Sequence, residues 1–227
     1  MKIIRPYVEI LKYPEANDKK RVYKFIEKIG RICYQSKDKI TDDSCMKFVE
    51  GLMNKGHTSV LEHYTYVTEL FTQEYYDIKN NWKDFNVFNK FINITGLINK
   101  MHASVYQQSF LLSFSVGAKY KLEKESPDDI LVKIMNDKLD DNRYLLSQEK
   151  IDNLSFTEQL RHKYITVKFI CDRGIMAEIT RHRTASFSVE STRYANYSLD
   201  KFDNEITVIS PFDNDDPKYF DWKHACE

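Results

Sequence analysis

Some segments of this chain carry apolar residues at helical spacing and others are rich in β-branched and aromatic residues, and together they predict a fold that contains both helices and strands. Residues 21–36 carry apolar side chains at helical spacing, which predicts an amphipathic helix. A second helix is predicted to begin near Ser44, a residue type that caps helices, and Gly56 is placed to end it. Strands are predicted at three segments rich in β-branched and aromatic residues: residues 64–70, 164–170 and 205–211.

The remaining segments are assigned from their composition. Residues 85–114 are aromatic and predict helix, whereas residues 121–160 are highly charged and predict exposed helices and loops. Residues 174–183 predict a further helix, and Pro217 opens a last one.

Composition limits what kind of protein this is. The 227 residues include 34 basic and 34 acidic side chains, a balance that argues against a general binder of nucleic acids or membrane surfaces. A chain of this length suits one domain, with or without a sizeable insertion. No apolar run is long enough to span a bilayer, and the first residues lack the apolar core of a signal peptide. We therefore expect a cytoplasmic protein without a membrane partner.

The four cysteines are scattered and form no Cys-x-x-Cys pair. This spacing predicts reduced thiols and gives no reason to expect a disulfide framework or a zinc site. The histidines suggest no metal site either, because the His-Glu-x-x-His order of zinc proteases is absent.

One stretch concentrates groups that bind phosphate. Residues 181–194, hereafter the signature stretch, read Arg-His-Arg-Thr-Ala-Ser-Phe-Ser-Val-Glu-Ser-Thr-Arg-Tyr. Arginine presents a planar cationic fork that matches phosphate oxygens, and serine and threonine hydroxyls can donate to the same oxygens. The stretch therefore predicts an anionic, nucleotide-like ligand.

The signature stretch resembles that of the flavin-dependent thymidylate synthases. The family pattern is Arg-His-Arg, two residues, Ser, four residues, Ser, one residue, Arg and usually Tyr. Its fixed positions are all met here, by Arg181, His182, Arg183, Ser186, Ser191, Arg193 and Tyr194. The upstream sequence Gly-His-Thr-Ser-Val-Leu-Glu-His at residues 56–63 also resembles the family.

The resemblance implies both a fold and a reaction. The fold would be α/β of the α+β type, with helices packed on a mainly antiparallel sheet, in a homotetramer whose sites are shared between subunits. The reaction would be reductive methylation of dUMP to dTMP, with FAD as cofactor and with methylenetetrahydrofolate and NADPH as co-substrates. The chain would be a single domain over residues 1–227 with an insertion at about 71–163.

The resemblance also implies residue roles. Arg181, His182 and Arg183 would hold the flavin, and Arg181 would also be catalytic. Ser191 and Arg193 would hold the dUMP phosphate. Further contacts to the nucleotide are implied for the side chain of Glu178 and for the loop residues Glu190 and Thr192.

The upstream segment would complete the flavin site. His57 would lie at its folate and flavin side as a catalytic residue, and Ser59 would contact the flavin, with Glu62 and His63 in support. Val189 occupies a cofactor-binding position where many members carry Glu or Gln, so a polar contact is lost there.

Simpler readings stand beside these roles. Arg181 to Arg183 could be cations that complement a helix C-terminus, Glu178 and Arg181 could form an ordinary ion pair, and residues 57–63 could be a capped helix end. The family's C-terminal part is also not found in this sequence, so we expect a truncated or split form whose missing helices a separate fragment could supply. The alternatives to an active enzyme are an inactive flavin- or nucleotide-binding remnant, one subunit of a split enzyme and, least favoured, a nucleic-acid-binding module.

Overall fold

The computed structural model describes residues 1–81, 92–98, 108–182, 185–191, 193, 197 and 205–226. In chain order its elements are β1 (Lys2–Ile4), β2 (Tyr7–Leu11), α1 (Lys19–Gly30), α2 (Ser44–Asn54), α3 (Thr58–Leu61), β3 (Thr65–Leu70), α4 (Thr72–Asn81), β4 (Ile92–Ile98), β5 (Gln108–Ser115), α5 (Val116–Glu125), α6 (Ile130–Asp140), α7 (Gln148–Asp152), α8 (Phe156–His162), β6 (Thr166–Ile170), α9 (Arg173–Ile179), β7 (Thr207–Ile209) and α10 (Pro217–Cys226). The mixture of helices and strands that the sequence predicts is confirmed.

The chain divides into two compact units. The large unit consists of Tyr13–Tyr164 and Ser186–Ser188, and the small unit consists of Met1–Lys12, Ile165–Ala185 and Val189–Glu227. This division does not decide the predicted single domain with an insertion at residues 71–163, which stays a prediction.

The large unit is built around a three-stranded antiparallel sheet in which β5 lies between β3 and β4. From Phe110 to Ser115 every residue of β5 is buried, as expected for a central strand covered on both faces. Helix α6 adds Leu131, Val132 and Met135 to the buried apolar residues. Elements from residues 71–163 therefore form much of the interior of this unit.

Helices α1 and α2 begin and end for local reasons. The side chain of Asp18 accepts a hydrogen bond from the Arg21 N–H at 2.9 Å, which caps α1. The predicted helix at residues 21–36 is confirmed in its first part but ends at Gly30, where a turn begins. Beyond α2, Gly56 has a φ of +69°, a left-handed conformation that suits glycine.

The small unit contains two separate pairs of strands. β2 pairs antiparallel with β6, and β1 pairs parallel with β7. The predicted strands at residues 64–70, 164–170 and 205–211 are confirmed as β3, β6 and β7, each somewhat shorter than expected. In the described residues the predicted mainly antiparallel pairing is confirmed, because only β1–β7 is parallel. These strands belong to three small sheets, however, and do not form the one sheet that was expected.

Two predictions for the central segment need correction. Residues 85–114 were expected to be helical, but their described parts form β4 and most of β5; residues 85–91 and 99–107 lie outside the described residues. A short, continuous apolar run such as that in β5 fits a buried strand as well as a helix, and pairing with β3 decides between them. Helices are confirmed within residues 121–160, but the expected exposure is wrong for α6.

The last helices agree with their sequence patterns. The helix predicted at residues 174–183 is α9, which ends at Ile179, and Pro217 opens α10 as expected. All four cysteines are free thiols. None of the described helices is both long and apolar enough to cross a membrane.

Candidate functional site

The upstream motif begins at the end of α2. The N–H of Gly56 donates to the Met53 carbonyl at 3.0 Å, and the N–H of His57 donates to the Leu52 carbonyl at 2.9 Å. These two bonds, with the positive φ of Gly56, form a Schellman ending, so the glycine fixes where the chain turns into His57. His57 then precedes α3, and both His57 and Ser59 are exposed.

The motif ends at Glu62 and His63, which lie half-buried between α3 and β3. The hydroxyl of Tyr13 donates to the backbone carbonyl of His63 at 3.0 Å. Burial lowers the pKa of the His63 imidazole to about 4, so this ring is neutral near pH 7. A neutral imidazole has one donor and one acceptor nitrogen, and it can therefore pair with a hydroxyl in either direction.

The structure brings this motif together with the middle of the signature stretch. The Ser186 hydroxyl donates to the Glu62 carboxylate in a short hydrogen bond. The Ser188 Oγ lies 3.0 Å from the His63 Nε2. Ser186–Ser188 belong to the same large unit as Glu62 and His63, although more than 120 positions separate them in sequence.

The start of the signature stretch follows α9 in the small unit. Asp172 caps this helix by accepting a hydrogen bond from the Ile175 N–H at 3.0 Å. Arg181 and His182 lie just after the helix and are exposed. The Arg181 guanidinium is 3.0 Å from the Glu178 carboxylate, so the ion pair suggested by their spacing is present. An exposed pair of this kind contributes between about 0 and 1 kcal/mol, so exchanging the carboxylate for a ligand phosphate costs little.

The end of the signature stretch also lies in the small unit. Ser191 is half-buried, and Arg193 is exposed in a turn. The Tyr197 hydroxyl donates to the Glu190 carboxylate in a short hydrogen bond. Burial, together with this carboxylate, raises the pKa of Tyr197 to about 12. The Glu190 side chain is thus engaged within its own loop, and the nucleotide contact expected of this residue stays a prediction.

The remaining predicted site residues either lack a polar side chain or lie outside the described residues. Val189 is half-buried and provides no polar side-chain atom. Arg183, Thr192 and Tyr194 lie outside the described residues. Over the ranges that the structure describes, no group of three His, Cys, Asp or Glu side chains could hold a metal ion.

Sequence reasoning missed the role of Ser188, which is not a fixed position of the signature. A signal for it exists, because residues two apart in an extended segment point to the same side, and Ser186 and Ser188 have that spacing.

Sequence reasoning also missed Gly117 of α5. A Cβ atom added at Gly117 would lie 2.8 Å from the Thr58 carbonyl oxygen and 3.1 Å from the Glu62 Cγ, which shows how closely α5 approaches α3.

A model of a known protein family also matches the chain. The family model described as thymidylate synthase complementing protein matches residues 99–227, which is more than half of the chain. The match takes in the whole signature stretch and reaches back into the predicted insertion, but it does not include residues 57–63. No curated protein and no solved structure matches the chain.

Proposed function

Because the chain belongs to the family of thymidylate synthase complementing proteins, we propose that it converts dUMP to dTMP by flavin-dependent reductive methylation. The one-carbon unit would come from methylenetetrahydrofolate, and NADPH would be the reductant. FAD, when bound, would supply hydride transfer, and the protein would supply binding, orientation and charge. The observation that carries the proposal is the complete signature stretch, whose described residues present exposed cations and half-buried hydroxyls.

The donor set at the start of the signature stretch fits a flavin dinucleotide. The pyrophosphate of FAD needs cationic or N–H donors, and the exposed Arg181 provides a fork that can hold two phosphate oxygens. The exposed His182 adds a ring N–H donor next to it in the chain, and Arg183 would add a second fork. These three residues would therefore hold FAD, with Arg181 also offsetting negative charge during the reaction.

Residues of the upstream motif would also contact FAD. Ser59 has an exposed hydroxyl that can hydrogen-bond the flavin, and the exposed His57 would lie at the folate and flavin side as a catalytic residue. Val189 offers packing but no polar contact, so flavin binding would depend on the other donors.

The substrate phosphate would be held by Ser191 and Arg193. A hydroxyl and a guanidinium two positions apart can converge on one phosphate, the hydroxyl through a single bond and the guanidinium through its fork. Glu178 would contact the nucleotide after releasing Arg181, and Glu190 and Thr192 would complete the loop around it. No enzyme nucleophile is assigned, because hydride delivery by the cofactor does not require one.

We also propose that the chain assembles into a homotetramer. Residues Val8 and Ile10 of β2 lie opposite Phe169 and Val167 of β6, so these four apolar side chains share one face of the two-stranded sheet. Val8 and Ile10 are 62% and 71% exposed, which leaves an apolar face for a partner to cover. Light scattering of the purified chain measures the assembly state directly.

The absorption spectrum of the purified chain tests the proposed function. The protein is reconstituted with FAD, and its visible flavin bands are recorded before and after addition of dUMP. We expect retained flavin whose bands change with dUMP but not with deoxyuridine at the same concentration, because deoxyuridine lacks the phosphate. Protein that retains no FAD, or whose flavin bands do not change on addition of dUMP, would contradict the proposal.

A further inference from the structure

Helix α5 packs against α3 and hydrogen-bonds to residues on both sides of the segment 57–63. The hydroxyl of Tyr120 donates to the Met53 carbonyl at 2.7 Å, just before this segment. The N–H of Val116 donates to the Tyr64 carbonyl at 3.0 Å, just after it. Between them, Gly117 lies against Thr58 and Glu62. The first turns of α5 thus contact the backbone on both sides of the segment and pack against α3 within it.

The contact at Gly117 leaves no room for a side chain. A Cβ atom there would lie 2.8 Å from the Thr58 carbonyl oxygen, a distance that real Cβ atoms essentially never show. That oxygen belongs to the backbone of α3 and cannot rotate away. The same Cβ would lie 3.1 Å from the Glu62 Cγ and 3.3 Å from the Leu61 Cβ. A larger residue at Gly117 therefore requires α3 or α5 to move.

The start of α5 is itself held firmly. Ser115 is fully buried, and its hydroxyl accepts a hydrogen bond from the Ala118 N–H at 3.0 Å, which caps the helix. Ser115 also ends β5, the central strand of the sheet. Because a buried strand and a cap fix the first turn of α5, α3 is the element that must shift when Gly117 gains a side chain.

We infer that α5 is a positioning helix for the signature stretch, with Gly117 and Tyr120 as its positioning residues. It sets where Glu62 and His63 lie, and these two side chains hydrogen-bond to Ser186 and Ser188. Those serines lie in the chain between Arg183 and Ser191, so their place limits the conformations open to both ends of the stretch. The functional half of this inference rests on the proposed function. It also assigns a structural role to part of residues 71–163, because α5 lies within them.

Alanine substitution at two helical glycines separates this role from a general effect on folding. In Gly117→Ala the new methyl group collides with α3, whereas in Gly51→Ala of α2 it meets no atom within 4 Å. Hydrogen exchange is measured on the peptides that cover residues 57–63 and 186–188. We expect faster exchange in both peptides for Gly117→Ala, with unchanged far-UV circular dichroism, and wild-type exchange for Gly51→Ala.

The same variants are compared in nucleotide titrations and turnover. We expect Gly117→Ala to lower turnover of dUMP by about tenfold to a hundredfold, the cost of a site displaced by about 1 Å, and Gly51→Ala to match the wild type. Wild-type exchange at residues 186–188 together with wild-type turnover in Gly117→Ala would overturn the inference. If the wild type binds no flavin, the proposed function fails, and the exchange measurement still decides the positioning role.

If Gly117→Ala does not fold, a milder variant tests the same inference. Tyr120→Phe removes only the hydroxyl that bonds to the Met53 carbonyl, and Tyr76→Phe, at an exposed tyrosine of α4, is its control. We expect Tyr120→Phe to speed exchange in both peptides by about threefold to tenfold, the scale of one lost hydrogen bond. Equal exchange in the two phenylalanine variants would overturn the inference.

Discussion

Single side chains of the signature stretch have clearly different surroundings. Ser186 and Ser188 are held by Glu62 and His63 in the large unit, whereas Arg181 and Arg193 are exposed in the small unit. A held serine fixes the backbone, and an exposed arginine can exchange water for a ligand. Under the proposed function, the middle of the stretch would be structural and its two ends would bind the ligand.

Arg193→Ala tests the role of the exposed end. The variant loses a charge-assisted hydrogen bond to the dUMP phosphate, so we expect its affinity for dUMP to fall by about 1.5–3 kcal/mol in binding free energy. Isothermal titration calorimetry measures this. Arg21→Ala, which removes an exposed arginine of α1 outside the signature, should leave the affinity unchanged. Equal affinity in wild type and Arg193→Ala would remove Arg193 from the phosphate site.

How much of the site could be predicted depends on the distance between its parts along the chain. The signature residues are neighbours in sequence, so their pattern is visible without a fold. The bond from Ser186 to Glu62 spans 124 positions, and no local pattern encodes such a contact. The close contact at Gly117 is harder still to predict, because the sequence does not show which part of the backbone approaches a glycine.

For helices and strands, too, predictability depends on the distance along the chain between contacting parts, and this separates α1 and α2 from β1 and β2. The helices follow from apolar spacing and caps within about a dozen residues. Strand β2 depends on β6, about 160 residues away, and β1 has only three residues and depends on β7. The aromatic composition of residues 85–114 predicts helix, whereas pairing with β3 and β4 makes β5 a strand.

Helices α4 and α6 are joined by a buried charge. The ammonium of Lys138 lies 2.9 Å from the Glu74 carboxylate, and it lies 4.1 Å and 4.3 Å from the ring centres of Phe71 and Tyr144. Lys138 is only 2% exposed. The two rings and the carboxylate together compensate the lost hydration of the ammonium.

Glu74→Gln tests this compensation. The variant leaves a buried ammonium without its counter-charge, so we expect the free energy of unfolding to fall by about 3 kcal/mol. Urea denaturation followed by circular dichroism measures the loss. Glu125→Gln removes the partner of the exposed Lys121 and should change stability by less than about 0.5 kcal/mol. A similar small change in both variants would show that the rings alone are sufficient.

For the whole molecule, two histidines whose pKa is lowered by burial contribute to the response to acid. Burial lowers the pKa of both His63 and His162 to about 4, and the His162 Nδ1 lies 3.0 Å from the Ser113 Oγ in the interior of the large unit. In the unfolded chain a histidine has a pKa near 6.5. Between pH 6.5 and 4 the unfolded state therefore binds protons that the folded state does not, and stability falls as the pH falls.

His162→Gln tests this dependence. Between pH 7 and 4.5 the wild type should lose about 2–3 kcal/mol more stability than the variant, since glutamine does not titrate. Urea denaturation at the two pH values measures the difference. His224→Gln, at an exposed histidine of α10, should lose as much as the wild type. If His162→Gln shows the same loss as the wild type, the buried His162 is not a source of the acid sensitivity.

Product formation is the most direct test of the proposed function. The purified chain is incubated with dUMP, FAD, methylenetetrahydrofolate and NADPH, and the nucleotides are separated and identified by mass. We predict dTMP that appears only when all four compounds are present and that falls sharply in Arg193→Ala. Flavin-bound, folded protein that forms no dTMP under these conditions would contradict the proposed function.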